Sequence, residues 1–199
     1  MLNSSRMLLL LFLFSFATLT WGQSLQAGDK APDFKVKTVS GQYIQLSHCQ
    51  EEKVLLSFFR HLGSPTCHFR LQQLITDYQE LQANGITIIA IFESDEKSLQ
   101  DFLIENPVPF PLIADPHSQL YASYRLEKSL GKALSSMTKT QYQRDRKAGK
   151  AILKGKNYPK TGKGNRISAD FIIEKGVILE AHYGQYIGDH LPMYRIHQY

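Results

Sequence analysis

The chain has 199 residues, of which 43% are hydrophobic and 21% charged, with 13 glycines, 8 prolines and 2 cysteines. These values exclude a fibrous protein, a disulfide-rich miniprotein and a disordered chain. The formal net charge is +5, and the length fits one domain with a single large core.

The first 22 residues have the pattern of an export signal. A short segment with Arg6 precedes an apolar run from Met7 to Phe16, and Thr20 and Gly22 supply small residues for cleavage. The apolar run is shorter than the roughly 20 residues that a transmembrane helix needs. We therefore predict that residues 1–22 are a signal peptide and that the protein is secreted or periplasmic. The alternative is an uncleaved N-terminal membrane anchor.

Residues 25–199 alternate short apolar runs with amphipathic stretches, the pattern of a mixed α/β sheet flanked by helices. Single strands are predicted at residues 54–59, 86–92 and 110–114, and hairpins are predicted at residues 35–46 and 170–183. Apolar residues at steps of three and four from Cys67 to Leu81 predict a helix over this stretch, and Gly85 is predicted to end it. Further helices are predicted at 95–105, after a Ser94 cap, and at 118–124. The strand at 54–59 is almost entirely apolar, which predicts a place at the centre of the sheet.

A basic insertion at about residues 128–166 precedes the last hairpin. It contains twelve Lys or Arg residues and one acid, Asp145, so its local charge is +11. We predict partial helix at 135–150, loop thereafter, and a solvated, partly flexible insertion. An anionic envelope or lipid surface is the second interpretation of this charge. Nucleic acid is not an expected partner, because an exported chain rarely meets it.

Residues 58–68 combine a strand end, a Gly/Pro loop and a helix start. Active sites in such sheets lie at the carboxyl ends of strands, and Cys67 is the only cysteine at this position. Backbone N–H groups at a helix start favour a thiolate, and Arg60, His61 and Arg70 could add positive charge. Ser64 can point its hydroxyl at the sulfur or at an oxygen substrate. The competing interpretation is a small, buried and unreactive side chain.

The second cysteine, Cys49, precedes the predicted central strand, whereas Cys67 follows it. Six strand residues separate the two ends by roughly 17 to 20 Å, but a disulfide needs Cα atoms within about 7 Å. We therefore predict that Cys49 is structural or pairs between chains.

The segment from Phe58 to Cys67 resembles the active-site loop of the thioredoxin-fold peroxiredoxins. That loop reads Phe-Tyr-Pro, three residues, Thr, two residues, Cys, and the spacing here is the same. The resemblance implies that Cys67 is the peroxidatic cysteine and that Ser64 takes the hydroxyl position. Arg60 stands where the family has proline.

A closer resemblance, from Gly28 to Pro192, is to the peroxiredoxin-like branch of the alkyl hydroperoxide reductase/thiol-specific antioxidant proteins. This branch reads like Phe-Leu-Arg-His-Phe-Gly-Cys-Pro-Phe-Cys at the active-site loop. It shares a Pro-Phe-Pro-Leu-hydrophobic-Ala-Asp-Pro block, here residues 109–116, and a basic insertion before the last hairpin. The ends of the chains, here residues 181–184 and 188–190, are similar as well.

The resemblance implies a thioredoxin-like fold and a thiol-dependent antioxidant peroxidase that takes a peroxide as its substrate. Ser64 replaces the first cysteine of the branch's CxxC motif, so a disulfide between these two positions cannot form. A single Cys67 thiolate, regenerated by an external thiol reductant, is the cycle that remains. Peroxiredoxins place an arginine before the strand that begins here near Asp170, and Arg166 lies two residues from the corresponding position. No cofactor is implied. Metal binding is a minor alternative, because no pair of the histidines and cysteines has the close, repeated spacing of a zinc site.

Two other functions stay open on the sequence alone. One is a catalytically degenerate thioredoxin-fold binding module, and the other is a redox sensor whose single thiol forms mixed disulfides. All enzymatic interpretations require the sulfur of Cys67 to be ionised and reachable. Three polar residues near the end of the chain are predicted to form a cluster that fixes the final turn, namely His182, Asp189 and His190.

Overall fold

The computed structural model describes residues 23–49 and 52–199. The predicted export signal falls on residues 1–22, which lie outside the described residues. No helix in the described part of the chain is long and apolar enough to cross a membrane.

A five-stranded mixed sheet forms the centre of the structure. Its strands are β3 (Lys53–Phe58), β4 (Ile86–Phe92), β5 (Leu112–Ala114), β6 (Ala169–Glu174) and β7 (Val177–Tyr183), after a separate hairpin of β1 (Lys35–Lys37) and β2 (Tyr43–Gln45). The strand order is β5-β4-β3-β6-β7. Pairing is parallel from β3 to β5 and antiparallel from β3 to β7. The predicted mixed sheet is confirmed, and the apolar β3 lies at its centre.

Helices cover both faces of this sheet. They are α1 (Pro65–Thr76), α2 (Tyr78–Ala83), α3 (Glu96–Glu105), α4 (Gln119–Ser123), α5 (Leu130–Ser135), α6 (Thr140–Ile152) and α7 (Met193–Ile196), with 3-10 turns at Leu46–His48 and Ser136–Thr138. The predicted helix at 67–81 is therefore two helices. The chain changes direction at Asp77, which ends α1 and precedes α2.

The start of α3 differs by one residue from the prediction. Asp95, not Ser94, caps this helix, because its carboxylate accepts a hydrogen bond of 2.8 Å from the backbone N–H of Ser98. Ser94 is buried and its hydroxyl accepts the N–H of Leu62 at 3.0 Å. Ser94 therefore ties β4 to the loop after β3.

Side chains of β3 alternate between two hydrophobic layers, one on each face of the sheet. Leu55 belongs to the layer built with α1, α2 and α3, which also contains Cys67. Leu56 belongs to the layer built with α4 and the N-terminal hairpin. The described residues of both layers run from Leu25 to Ile196.

The basic insertion is more ordered than the sequence predicts. The partial helix predicted at 135–150 is confirmed by the 3-10 turn and α6, and α5 adds a helix before it that was not predicted. The helices α1 and α6 pack closely. A Cβ added to Gly149 would lie only 1.8 Å from the carbonyl oxygen of Pro65, so there is no space for a side chain between them. The interpretation of a partly flexible insertion is therefore wrong for α6, which packs on α1, whereas most residues of α6 are exposed, as a solvated insertion predicts.

Candidate active site

Cys67 lies at the carboxyl end of β3, in the first turn of α1. Ser64 is the N-cap and Pro65 the first residue of this helix, a position where proline costs no hydrogen bond. The N–H of Cys67 donates to the carbonyl oxygen of Ser64 at 3.1 Å. The Cys67 side chain faces inward with Leu71, as predicted. It is only 2% exposed, so the required reachable sulfur is not present in this conformation.

Arg60 and Ser64 meet directly beside the start of α1. The Nη2 atom of Arg60 donates to the Ser64 hydroxyl at 2.9 Å, and the Thr66 hydroxyl lies 3.1 Å from the same oxygen. The structure thus brings together two of the predicted site residues in the helical turn that holds Cys67. Arg60 occupies the family's proline position, where it supplies a charge that proline lacks.

Of the three predicted cations, only Arg60 keeps an uncompensated charge. Burial, with a smaller contribution from the Arg60 charge, lowers the pKa of His61 to about 4, so His61 is neutral at pH 7. Arg70 is buried and forms an ion pair with Asp170, with 3.5 Å between Nη2 and Oδ2. Within the described residues, no carboxylate lies within ion-pair distance of Arg60. Arg60 is therefore the one of these three side chains that is charged and has no carboxylate partner among the described residues.

Arg166 is buried on the other side of the site, where all five of its N–H groups have acceptors. Nε and Nη2 donate to one oxygen of Glu93, with 2.8 Å from Nε, and Nη2 also donates to Ser118. Nη1 donates to the carbonyl oxygens of Leu126 and Glu127. Arg166 therefore has no free N–H for a thiolate in this conformation. Its role in the reaction stays a prediction.

Glu93 was not identified from the sequence. Burial alone would raise its pKa, but hydrogen bonds from Arg166, Ser118 and the N–H of Lys163 lower it overall. The available signal was an acid placed directly after the apolar strand β4. An apolar strand followed at its carboxyl end by a buried acid indicates a paired charge.

A second buried polar cluster lies beneath α1 and centres on Asp170. Its carboxylate accepts hydrogen bonds from Ser57 and from the N–H of Leu191, and it contacts Nδ1 of His190 at 3.0 Å. Burial alone would raise the pKa of Asp170, but His190 and Arg70 hold it well below its usual value. Asp170 therefore remains a carboxylate.

The predicted cluster of polar residues at the end of the chain forms only in part. Nε2 of His182 lies 3.5 Å from Oδ1 of Asp189, as predicted. His190 contacts the carboxylate of Asp170 instead. Among the described residues, no three His, Cys, Asp or Glu side chains are grouped so that they could hold a metal ion.

Residues 158–164, which we call the covering segment, lie against the loop that precedes Cys67. The N–H of Gly63 donates to the carbonyl oxygen of Pro159 at 3.0 Å, and Nη1 of Arg60 donates to that of Gly164 at 2.8 Å. A Cβ on Gly63 would lie 2.6 Å from Cγ of Lys160. The contact between the two segments therefore requires glycine at this position.

Cys49 is remote from the site. Both cysteines are free, and Cys49 packs against the hydrophobic layer on the face of the sheet opposite Cys67. Burial and the neighbouring Glu52 raise the pKa of the Cys49 thiol. The sheet separates the two sulfur atoms, so an internal disulfide does not fit this fold.

The fold and the site define a thioredoxin-like α/β protein with one cysteine at the start of the helix that follows the central strand. The AhpC/TSA family matches residues 27–181, more than three quarters of the chain. The protein belongs to the AhpC/TSA family, and the resemblance found in its sequence is confirmed.

Similar proteins agree with this assignment. Peroxiredoxin Bcp of Escherichia coli K12 is 26% identical over 121 residues, which cover 59% of this chain and 78% of the relative. The crystal structure of peroxidoxin BcpB from Mycobacterium tuberculosis has a TM-score of 0.59 at 16% identity and covers 83% of this chain and 90% of its own. The structure of a yeast mitochondrial 1-Cys peroxiredoxin also has a TM-score of 0.59, at 14% identity. The match covers 87% of this chain and 73% of the yeast chain. The predicted thioredoxin-like fold is confirmed.

Proposed function

We propose that this protein is a thiol-dependent antioxidant peroxidase in which a single thiolate, that of Cys67, reduces peroxides. Its membership of the AhpC/TSA family and its peroxiredoxin relatives support this activity and do not favour the alternative, a degenerate binding module. The observation that carries the residue assignment is the position of Cys67 in the first turn of α1, beside the hydrogen-bonded Arg60 and Ser64.

The chemical step oxidises the sulfur by two electrons and reduces the peroxide by two. The Cys67 thiolate attacks one peroxide oxygen, so an S–O bond forms while the O–O bond breaks. The other oxygen leaves with its substituent and takes up a proton, which gives an alcohol, or water when the substrate is hydrogen peroxide. Cys67 becomes a sulfenic acid.

Arg60 and Ser64 assist this step in different ways. The Arg60 charge and the N–H groups of the first turn of α1 favour the thiolate over the thiol. The Ser64 hydroxyl, held by Arg60 at 2.9 Å, can donate its hydrogen to a peroxide oxygen while Arg60 supplies a donor to the serine oxygen. Charge that develops on the leaving oxygen is thereby stabilised.

Regeneration uses thiols from outside the chain. One thiol condenses with the Cys67 sulfenic acid, which forms a mixed disulfide and releases water, and a second thiol then reduces this disulfide. The free Cys49 on the opposite face of the sheet cannot do this. In the yeast mitochondrial 1-Cys peroxiredoxin, the thiol is resolved via glutathione/thioredoxin systems. We propose an external reductant of this kind.

Access to the sulfur requires a local movement, because Cys67 is 2% exposed. The covering segment contacts the loop before Cys67 through hydrogen bonds from Gly63 and Arg60. Opening would also break the hydrogen bond from the N–H of Lys163 to Glu93 and the stacking of Tyr158 on His68, contacts that are local and few compared with those lost in global unfolding. Opening of the covering segment is therefore the movement that we propose to let the peroxide reach the sulfur.

Stopped-flow measurement of peroxide consumption by the reduced protein tests the proposed activity. Cys67→Ala is expected to abolish the reaction, since it removes the nucleophile, whereas Cys49→Ala is expected to keep it. Mass spectrometry should locate the added oxygen on Cys67. Equal activity of the wild type and Cys67→Ala would refute the assignment.

We also propose that the protein is exported, since residues 1–22 carry the signal pattern. N-terminal sequencing of the protein from its native cell should begin after Gly22. A sequence that begins at Met1 would exclude cleavage and leave the uncleaved anchor.

A further inference from the structure

The helical part of the basic insertion carries three exposed apolar side chains. Leu130 is 69% exposed, Leu134 72% and Met137 59%. Large apolar side chains with this degree of exposure at three neighbouring positions mark an interaction surface more often than isolated ones do. The activity proposed above does not use them.

These three side chains share one face of a continuous helical segment. The backbone runs from α5 into the 3-10 turn without a break, since Ser135 and Ser136 both have right-handed helical angles. At about 100° per residue, positions 130, 134 and 137 fall within an arc of about 60°. The opposite face holds the buried Ser136, whose hydroxyl accepts the N–H of Ile187. The inner face is thus anchored, and the outer face, which we call the apolar stripe, is open.

Positive charge surrounds the apolar stripe. Lys128 and Lys139 lie two residues before and two residues after it, and both are exposed. Neither has an acidic partner within the described residues. The nearby acid Glu127 is neutralised by its ion pair with Lys132. Further exposed bases follow along α6, at Arg144, Lys147 and Lys150.

We infer that the apolar stripe docks on an anionic lipid bilayer. An apolar face flanked by lysines has the composition of helices that lie in the membrane interface, where the apolar side chains enter the acyl region and the bases contact lipid phosphates. Charge complementarity decides between a bilayer and a second copy of this chain. A symmetric dimer through the stripe would place Lys128 and Lys139 of both copies together, which is repulsive.

The docking surface lies at the same end of the sheet as Cys67. The N–H of Ser129 donates to the carbonyl oxygen of Asn165, and the preceding residue, Gly164, accepts from Arg60. Docking would therefore place the active-site loop near the bilayer. The inference rests on the stripe and its charges alone, so a failure of the proposed peroxidase activity would leave it standing.

Co-sedimentation with lipid vesicles tests the inference. The protein used is residues 23–199, the form that the proposed cleavage after Gly22 would leave, so that the apolar segment at 7–16 cannot contribute. We expect binding to vesicles of phosphatidylglycerol and phosphatidylcholine, binding that weakens as salt is added, and no binding to pure phosphatidylcholine. Equal binding to both vesicle types would overturn the proposed electrostatic contribution.

Two sets of variants separate the apolar and the charged contributions. The triple variant Leu130→Ser, Leu134→Ser, Met137→Ser should bind at least about tenfold more weakly, whereas Ile104→Ser, at an apolar side chain that is 83% exposed on α3, should bind like the wild type. Lys128→Gln with Lys139→Gln should also weaken binding by about tenfold. Lys35→Gln with Lys37→Gln, an exposed pair on β1, should not.

Wild-type binding by the triple variant would refute docking through the stripe. Size-exclusion chromatography of the same proteins tests whether a second copy of this chain covers the apolar stripe instead. A dimer in the wild type that the triple variant loses would show that the stripe joins two copies and would overturn the lipid proposal.

Discussion

The three cationic side chains near the start of α1, Arg60, His61 and Arg70, differ in the charge that they keep. The hydrogen bond from Arg60 to the Ser64 hydroxyl places a guanidinium beside the turn that contains Cys67. Arg70 is compensated by Asp170, and His61 is neutral. Arg60, at the family's proline position, thus carries a positive charge without a carboxylate partner, which His61 and Arg70 do not.

If Arg60 assists the thiolate as proposed, Arg60→Gln should slow the alkylation of Cys67 by iodoacetamide at pH 7 by about tenfold or more, because it removes the positive charge that is hydrogen-bonded to Ser64. Arg60→Lys keeps the charge, so its alkylation rate should lie between those of the wild type and Arg60→Gln. Arg144→Gln removes an exposed arginine from α6 and serves as the control. An unchanged alkylation rate in Arg60→Gln would show that the helix start alone activates the thiol.

Packing of α6 on α1 is the main contact between the basic insertion and the rest of the structure. Gly149 permits it, because the space that a side chain would need is filled by the backbone of Pro65. This backbone belongs to the first turn of α1, one residue before Thr66 and two before Cys67. The insertion therefore supports the turn on which the site is built.

Gly149→Ala should destabilise the protein by about 1 to 3 kcal/mol, since an overpacked contact forces the two helices apart. Gly131→Ala is the matched control. It lies in α5 with no atom within 4 Å of the added Cβ, and the helix propensity of alanine should stabilise it by about 0.5 to 1 kcal/mol. Urea unfolding measures both changes. Equal stability of the two variants would contradict the close contact between α1 and α6.

For the molecule as a whole, buried histidines make stability depend on pH. Burial lowers the pKa of His61, His68 and His190 from the ordinary value of 6.5. Below pH 6.5 these histidines therefore bind protons in the unfolded chain but remain neutral in the folded protein. The folded state loses stability as a result. Burial also lowers the pKa of His182, but Asp189 raises it overall, so this residue acts in the opposite direction.

The free energy of unfolding should fall as the pH is lowered from 6.5 to 4. His61 alone, with a pKa of about 4 in the folded state, should contribute up to about 3 kcal/mol of this loss. Below this range, protonation of Asp170 and Glu93, both with lowered pKa values, should reduce stability further. Urea unfolding at several pH values measures the curve.

The variant His61→Gln should flatten this pH dependence, and His48→Gln, at an exposed position, should leave it unchanged. A stability curve without a decline between pH 6.5 and 4 would show that the buried histidines titrate as they do in water.

The sequence by itself determined the strands, most helices and the place of Cys67, because these depend on local signals. An apolar run produces β3, and a serine followed by proline starts α1. Side-chain periodicity also put Cys67 on the inner face, where the structure has it. The predicted flexibility of the insertion is wrong for α6, because this helix packs on α1, where Gly149 meets the backbone of Pro65, 84 residues away in the chain.

Only the tertiary structure decided which charges remain available at the site. Arg60, His61 and Arg70 are equivalent by spacing, and their difference comes from burial and from partners distant in the chain. Asp170 lies 100 residues from Arg70, and Glu93 lies 73 residues from Arg166. Whether a buried charge is kept, neutralised or paired depends on its surroundings in three dimensions, which no local pattern of residues encodes.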